Sequence, residues 1–192
     1  MSELRYQARI ERLPMLALFE ARGDAAALAG AIAAAGLVWP KAHHRFLPDR
    51  TGTGVVLLGP ARLLVMAPAA QETALTEALG HAFAGQPRAD VAPVSDMYAV
   101  FSVIGPGALD VLRQGAPLDL SPAAFPPGSV AGTELWSATA IILRGPGPEA
   151  GFTLLVDTSL AGYIGDWLAV ASGAPSALKP GTMTSPPRSL RP

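Results

Sequence analysis

The sequence predicts an α+β fold built from two related halves, and three observations predict it. Short apolar runs bounded by Gly and Pro read as strands. Between them lie Ala- and Leu-rich stretches of helix-forming composition. The order strand, helix, hairpin, strand, helix then occurs twice along the chain. The letters repeat as well. Ala17-Leu18-Phe19 matches Ala99-Val100-Phe101 at an offset of 82 residues, and Leu63-Leu64-Val65 matches Leu154-Leu155-Val156 at an offset of 91. The difference falls where the second half carries a longer loop. The halves span about 1–84 and 94–172, together one domain over 1–172, and residues 173–192 form a Pro-rich tail.

Each element has a local reason. Residues 1–13 set Arg5, Arg9 and Arg12 among Glu3 and Glu11, with Leu4, Tyr6, Ile10 and Leu13 between them. This suits an edge strand or an arm laid on a neighbour. Pro14 opens the strand MLALFEA, which ends at Ala21. Asp24 is placed to cap the helix DAAALAGAIAAA, and Gly36 stops it. Pro40 and Pro48 break the irregular stretch that follows. Val55–Leu58 and Arg62–Ala67 flank Gly59-Pro60 as a hairpin. Pro68 begins a helix to about Phe83, where its missing N–H costs nothing. Residues 85–96 read as a polar linker. The second half opens with an alternating strand, Tyr98–Ile104, and Gly105-Pro106-Gly107 turns it into the helix Ala108–Gln114. Leu118–Gly128 is a loop. Val130–Trp136 and Thr139–Arg144 form a second hairpin, and Phe152–Val156 is a further strand. Ser159 is expected to cap the helix Leu160–Ala171.

Composition narrows the function. There are 15 acidic residues and 14 Lys or Arg, a net charge of −1, and the cations are scattered. Nucleic acid and anionic membranes are therefore poor partners. Only 15% of the residues are charged, against roughly 25% in ordinary soluble domains. A permanent partner covering part of the surface is one reading. The other is a GC-rich coding bias toward Ala, Gly, Pro and Arg. The chain has no Cys, which excludes disulfides, thiolate metal sites, iron–sulfur ligation and Cys nucleophiles. No run of 18 apolar residues exists, and the charged start MSELRYQARIERLP has no signal-peptide core. The expected location is the cytoplasm.

No constellation of catalytic, cofactor-binding or metal-ligating residues assembles in the sequence. His43 and His44 are adjacent and diverge in either a strand or a helix, and His81 is far along the chain. Gly52, Gly54 and Gly59 fit neither dinucleotide nor P-loop spacing and read as turn glycines. The carboxylates Asp96, Asp119, Glu134, Asp157 and Asp166 stand singly, whereas acid/base work needs two to converge. Tyr163, Trp167 and Leu168 read as packing residues of a core or an interface rather than as a ligand cage.

Four features carry a family resemblance. Val94-Ser95-Asp96 precedes the strand, and Ile104-Gly105-Pro106-Gly107-Ala108-Leu109-Asp110-Val111-Leu112 follows it. Pro117-Leu118-Asp119-Leu120-Ser121-Pro122 leads to Ala124-Phe125-Pro126-Pro127-Gly128, an apolar anchor set among prolines. Phe152–Val156 is followed by Tyr163 and Asp166-Trp167-Leu168. Together they resemble the gamma subunit of heterotetrameric sarcosine oxidase, within the aminomethyltransferase superfamily. Ala116 stands where relatives often have Cys, and Ser121 where they often have His.

The resemblance implies a glycine-cleavage T-protein-like folate-binding-domain fold. It implies a non-catalytic gamma subunit that helps assemble and stabilise the large subunits of a complex that oxidatively demethylates sarcosine. FAD, FMN, NAD and tetrahydrofolate would then sit in partner subunits, namely the larger alpha and beta chains, with a small delta chain completing the complex. The folate-contacting Gly-Gly-x-x-x-Asp-Asp motif has no match in this chain. Pro117, Leu118, Leu120, Phe125, Pro126 and Pro127 are the expected partner contacts, with the tail and the N-terminal arm beside them. Two other functions fit the sequence: a stand-alone tetrahydrofolate-dependent aminomethyl- or methyltransferase, with Asp96 or Asp157 facing the pterin, and a small-molecule-binding regulatory domain.

Overall fold

A computed structural model of the chain describes residues 6–46, 48–145 and 151–173. Arg9–Leu13 (β1) and Leu16–Gly23 (β2) lead into the helix Ala25–Ala34 (α1). Gly54–Gly59 (β3) and Arg62–Pro68 (β4) form the first hairpin, and Glu72–Phe83 (α2) and Ala89–Pro93 (β5) follow. The second half runs Tyr98–Ile104 (β6), Ala108–Leu112 (α3), Val130–Leu135 (β7), Ala138–Arg144 (β8), Phe152–Asp157 (β9) and Ala161–Ser172 (α4).

The strands make two antiparallel sheets, ordered β3-β4-β2-β5 and β1-β6-β9-β8-β7. Three apolar clusters fix their stacking. Leu28, Ile32, Leu75 and Leu79 of α1 and α2 pack on Phe19, Leu63 and Val65 of the four-stranded sheet. Val111, Leu112, Ile164 and Leu168 of α3 and α4 pack on Phe101, Ile142 and Leu154 of the five-stranded sheet. Between the sheets lie Leu18, Val56, Leu64, Val100, Ile141 and Leu155. The result is four layers, helices outside and sheets inside.

The inner strands of both sheets are therefore covered on both faces, and this overturns the expected alternation in Tyr98–Ile104. Five successive residues of β6, Ala99 to Val103, are buried, because no face of the strand is left for water. The same geometry explains part of the charge deficit, since inner strands need apolar side chains at nearly every position.

The sheets also exchange edge strands. β1, at the chain's start, is an edge of the five-stranded sheet and pairs with β6, Arg12 opposite Phe101. β5 lies in the segment expected to be a linker, yet it pairs with β2, Ala21 opposite Val91. Asp90 and Pro93 hid it, and an edge strand tolerates both. The letter match between halves needs one adjustment. Ala17 opposes Ala67 in β2–β4 and Ala99 opposes Val156 in β6–β9. Aligned on these pairs, Leu63-Leu64-Val65 falls two residues from its letter match. A slip of two keeps each side chain on its own face, so similar letters survive it.

Several end signals act differently from expectation. Asp24 occupies the cap position of α1, but its carboxylate pairs with Arg88 at 3.2 Å and caps no amide. Pro68 closes β4, and a 3-10 turn over Ala69–Gln71 leads into α2. Ser159 lies inside a 3-10 turn and donates to Asp157, which is the true cap. Gly36 does end α1: at φ +75° it lets Leu37 N donate back to Ile32 O at 3.0 Å.

Candidate functional site

The Pro-rich loop is a surface feature held from inside. Leu120 is fully buried and Phe125 nearly so, both within the cluster under α3 and α4. The Arg144 guanidinium ties the loop down by donating to Leu120 O at 3.3 Å and Phe125 O at 3.0 Å, while stacking over the Phe152 ring at 5.5 Å. Asp119 accepts from Ser121 N at 2.9 Å, and that bond holds its carboxyl below the usual range. Leu120 and Phe125 thus anchor the loop to its own core and present nothing to a partner. Pro117 and Pro126 are exposed, and Leu118 and Pro127 are half-buried.

Beside the loop stands an aromatic platform. Trp136 and Ser137 form the two-residue turn of the β7–β8 hairpin at φ 48° and 64°. Such turns favour Asn-Gly, because both positions need the left-handed region. Trp136 is held there on three sides. Its N–H donates to Gly115 O at 2.9 Å, and its carbonyl accepts from the Tyr163 hydroxyl at 2.9 Å. Its ring stacks on Trp167, centroids 6.1 Å apart and planes 11° apart. Tyr163 meets Trp167 edge-on at 6.3 Å. Gly115 has to be glycine, since a Cβ there would lie 2.3 Å from the Trp136 ring. Leu168 points into the core, while Tyr163 and Trp167 remain 45% and 39% exposed.

Two family-like motifs have structural work. Ser95 Oγ accepts from Leu18 N at 3.0 Å and donates to Glu72 Oε1 at 2.6 Å. The β5–β2 ladder ends at Pro93, and the Ser95 hydroxyl takes over where the backbone leaves. The Gly105-Pro106-Gly107 turn makes room for the N-terminal segment: a Cβ on Gly105 would lie 2.5 Å from Gln7 O, and one on Gly107 2.8 Å from Tyr6 Cβ.

The titratable groups do not converge. Asp96 and Asp157 lie at one end of the five-stranded sheet, where Thr158 Oγ1 donates to Asp96 O at 2.9 Å. The Asp157 carboxylate is engaged by Ser159, whose hydroxyl and N–H hold it below its ordinary range. Glu134 is exposed on β7 and Asp166 half-buried on α4. Among the described residues no three His, Asp or Glu side chains are grouped to hold a metal ion. His43 and His44 stay 6.3 Å apart on the surface, and His81 is exposed on α2. Among the described residues, a half-buried charge cluster forms at Glu20, bridged by Arg62 at 2.7 Å and by Arg22. Burial pushes the Glu20 carboxyl up, but the two arginines outweigh it and hold it below the usual range. A cavity of about 470 Å³ opens beside Arg62 and Tyr98, with His44 and Glu134 in its wall. Another, of about 460 Å³, is lined by Leu37, Trp39, Lys41, Arg45 and Val55. Neither contains Asp96 or Asp157. Among the described residues no helix is long and apolar enough to cross a membrane.

The four-layer arrangement places the chain in the fold of the glycine-cleavage T proteins. The glycine cleavage system aminomethyltransferase T from Bartonella henselae superposes with a TM-score of 0.62 at 17% identity, over 90% of this chain and 48% of that one. This chain thus spans about half that protein's length. A family model described as the sarcosine oxidase, gamma subunit family matches residues 22–174. The chain belongs to the sarcosine oxidase gamma subunit family. A chain of heterotetrameric sarcosine oxidase from Corynebacterium sp. U-96, solved with pyrrole 2-carboxylate, superposes with a TM-score of 0.77 at 27% identity, over 86% of this chain and 83% of that one. A search of curated proteins finds no match.

Proposed function

We propose that this chain is the non-reacting gamma subunit of a heterotetrameric, flavin-dependent sarcosine oxidase, and that it stabilises the assembled large subunits. The likeness to a chain of such a heterotetramer, over 86% of this chain and 83% of that one, carries the reading. The residues agree with it: carboxylates that could do chemistry stand apart or are engaged in turns, and the exposed loop and platform are apolar. FAD, FMN, NAD and tetrahydrofolate belong to the partners in this account, which are larger alpha and beta chains and a small delta chain in the cytoplasm. The mechanism is linkage: a protein that binds only the folded partners shifts them toward the assembled state. Pro117, Pro126, Leu118 and Pro127 supply one edge of the contact. The N-terminal arm and the Pro-rich tail are proposed to extend it, although residues 1–5 and 174–192 lie outside the described residues.

Co-expression with the large subunits of the same complex tests this. The expected result is co-purification and a higher melting temperature for the large subunits when this chain is present. A chain that stays a free monomer beside folded large subunits would overturn it. Calorimetry with tetrahydrofolate separates the transferase alternative, which requires binding heat from this chain alone.

A further inference from the structure

We infer that the cavity of about 470 Å³ walled by Arg62 and Glu134 is a binding site for a small zwitterion of the α-amino-acid class. The ligand's carboxylate goes to Arg62, its ammonium to Glu134 and an aliphatic side chain to the apolar floor. The gamma-subunit reading neither requires nor excludes such a site, so the two are tested separately.

The strand registers show how one end of the layer between the sheets becomes polar. Leu64, Val100 and Ile141 fill the middle of that layer. Side chains two residues apart on a strand share a face. Arg62 therefore continues the face of Leu64, Tyr98 that of Val100, and Thr139 that of Ile141. Glu134 lies opposite Thr139 on β7 and shares its face. The four-stranded sheet thus brings a guanidinium to the cavity, and the five-stranded sheet brings a carboxylate and two hydroxyls. Leu58, Ile141 and Leu155 make the floor between them. Small-molecule sites run to roughly 300–1,000 Å³ and combine an apolar lining with a few convergent polar groups. This cavity has both properties.

The protein satisfies neither charge by itself. Glu20 accepts from Arg62 Nη2 at 2.7 Å, but it also binds Arg22, so two guanidiniums share one carboxylate. Asp90 stands opposite Arg22 on β5 and lines a neighbouring cavity, not this one. Arg62 Nε is buried with no acceptor. Buried donors are nearly always paired, so an orphan on a cavity wall points to an acceptor supplied by a ligand. Glu134 is exposed and, among the described residues, is in no ion pair.

His44 closes the wall. At φ 57° its N–H donates to Leu57 O at 3.0 Å, and its carbonyl accepts from Val130 N at 2.9 Å. A non-glycine residue stays in the left-handed region only where its surroundings hold it there. Here the hold straps β3 to β7 and sets the spacing of the two sheets beside the cavity.

The two charges select the ligand. A simple anion drawn to Arg62 would meet Glu134, and a simple cation drawn to Glu134 would meet Arg62. Either would face a like charge. A zwitterion satisfies both ends. A guanidinium binds a carboxylate through charge-assisted N–H···O bonds, and Glu134 with the Thr139 hydroxyl accepts from an ammonium.

The test is proton–nitrogen correlation NMR of the full chain titrated with L-leucine, isocaproate and isoamylamine. The last two are leucine without its ammonium and leucine without its carboxylate. L-leucine should give saturable shifts of the Gly132, Glu134 and Thr139 amides and of the Arg62 Nε–H, the donor that gains an acceptor. Each single-charge analogue should bind at least about 10-fold more weakly, having lost one charge-assisted hydrogen bond. Glu134→Gln, at an exposed position, should weaken L-leucine by a similar factor, and Glu77→Gln on α2 should not. Arg62→Gln should abolish the shifts. Circular dichroism melting checks that each variant is folded, and Glu134→Gln carries the test alone if Arg62→Gln unfolds. Absence of saturable shifts up to about 10 mM L-leucine would overturn the inference. Equal binding of either analogue, undiminished binding by Glu134→Gln, or shifts confined to another part of the chain would do the same. All of these outcomes leave the gamma-subunit reading intact, because co-purification with the large subunits decides that independently.

Discussion

Leu120→Ala separates an anchor from a contact. The Leu120 side chain is fully buried beneath α3 and α4, and its carbonyl is held by Arg144. Removing three buried carbons forfeits their transfer energy, about 0.8 kcal/mol per group, or roughly 2.4 kcal/mol. A cavity term adds to this unless the loop collapses, and measured Leu→Ala changes in cores run about 2–5 kcal/mol. We expect about 3 kcal/mol. For a chain of this size that corresponds to a fall in melting temperature of about 6–12 °C. The assay is urea unfolding of the isolated full chain followed by Trp fluorescence. The midpoint should drop with the slope unchanged, because the surface exposed on unfolding is nearly the same. Pro126→Ala, on the exposed side of the same loop, should stay within about 0.5 kcal/mol of wild type. A loss below about 1 kcal/mol for Leu120→Ala would refute the reasoning, since the side chain would then be free to face a partner.

Ser95→Ala should cost about 1–3 kcal/mol in the same assay, because it strands the buried Leu18 N–H, whereas Ser95→Thr should cost less if its hydroxyl reproduces the bond. Glu20 gives a pH dependence. Its folded pKa lies below the unfolded value of about 4.5, so its contribution is present above that value and is lost as pH falls through the folded pKa. Glu20→Gln should therefore cost about 1 kcal/mol at pH 7 and show a shallower loss of stability below pH about 4.5, read from urea midpoints across that range. Ser137→Gly should raise stability by about 1 kcal/mol, a melting increase of about 2–4 °C, because glycine enters φ 64° without a Cβ clash.

Low charge was the sequence's strongest hint of a partner, and the fold changes its weight. Inner strands such as Leu63 to Ala67 and Ala99 to Val103 are buried on both faces, so a four-layer protein is short of charge before any partner is considered. Exposed apolar side chains gather instead at Leu160, Tyr163, Trp167 and Val170. Their spacing is readable in the sequence, yet it overlaps that of Ile164, Leu168 and Ala171. A helix apolar all round does not say which stripe faces the core.

What the sequence determined by itself is local and periodic. Apolar runs set most strands, Gly36 set a helix end, and the glycines and prolines around Phe101 and Leu120 carried the family likeness. Tertiary structure alone decided the exchange of β1 and β5 between sheets, the inward turn of Leu120 and Phe125, and the outward presentation of Trp167. The reason is that propensity and periodicity act over a few residues of one segment. Which sheet an edge strand joins, and which side of a loop or helix is covered, depends on segments tens of residues away, whose packing no local pattern encodes.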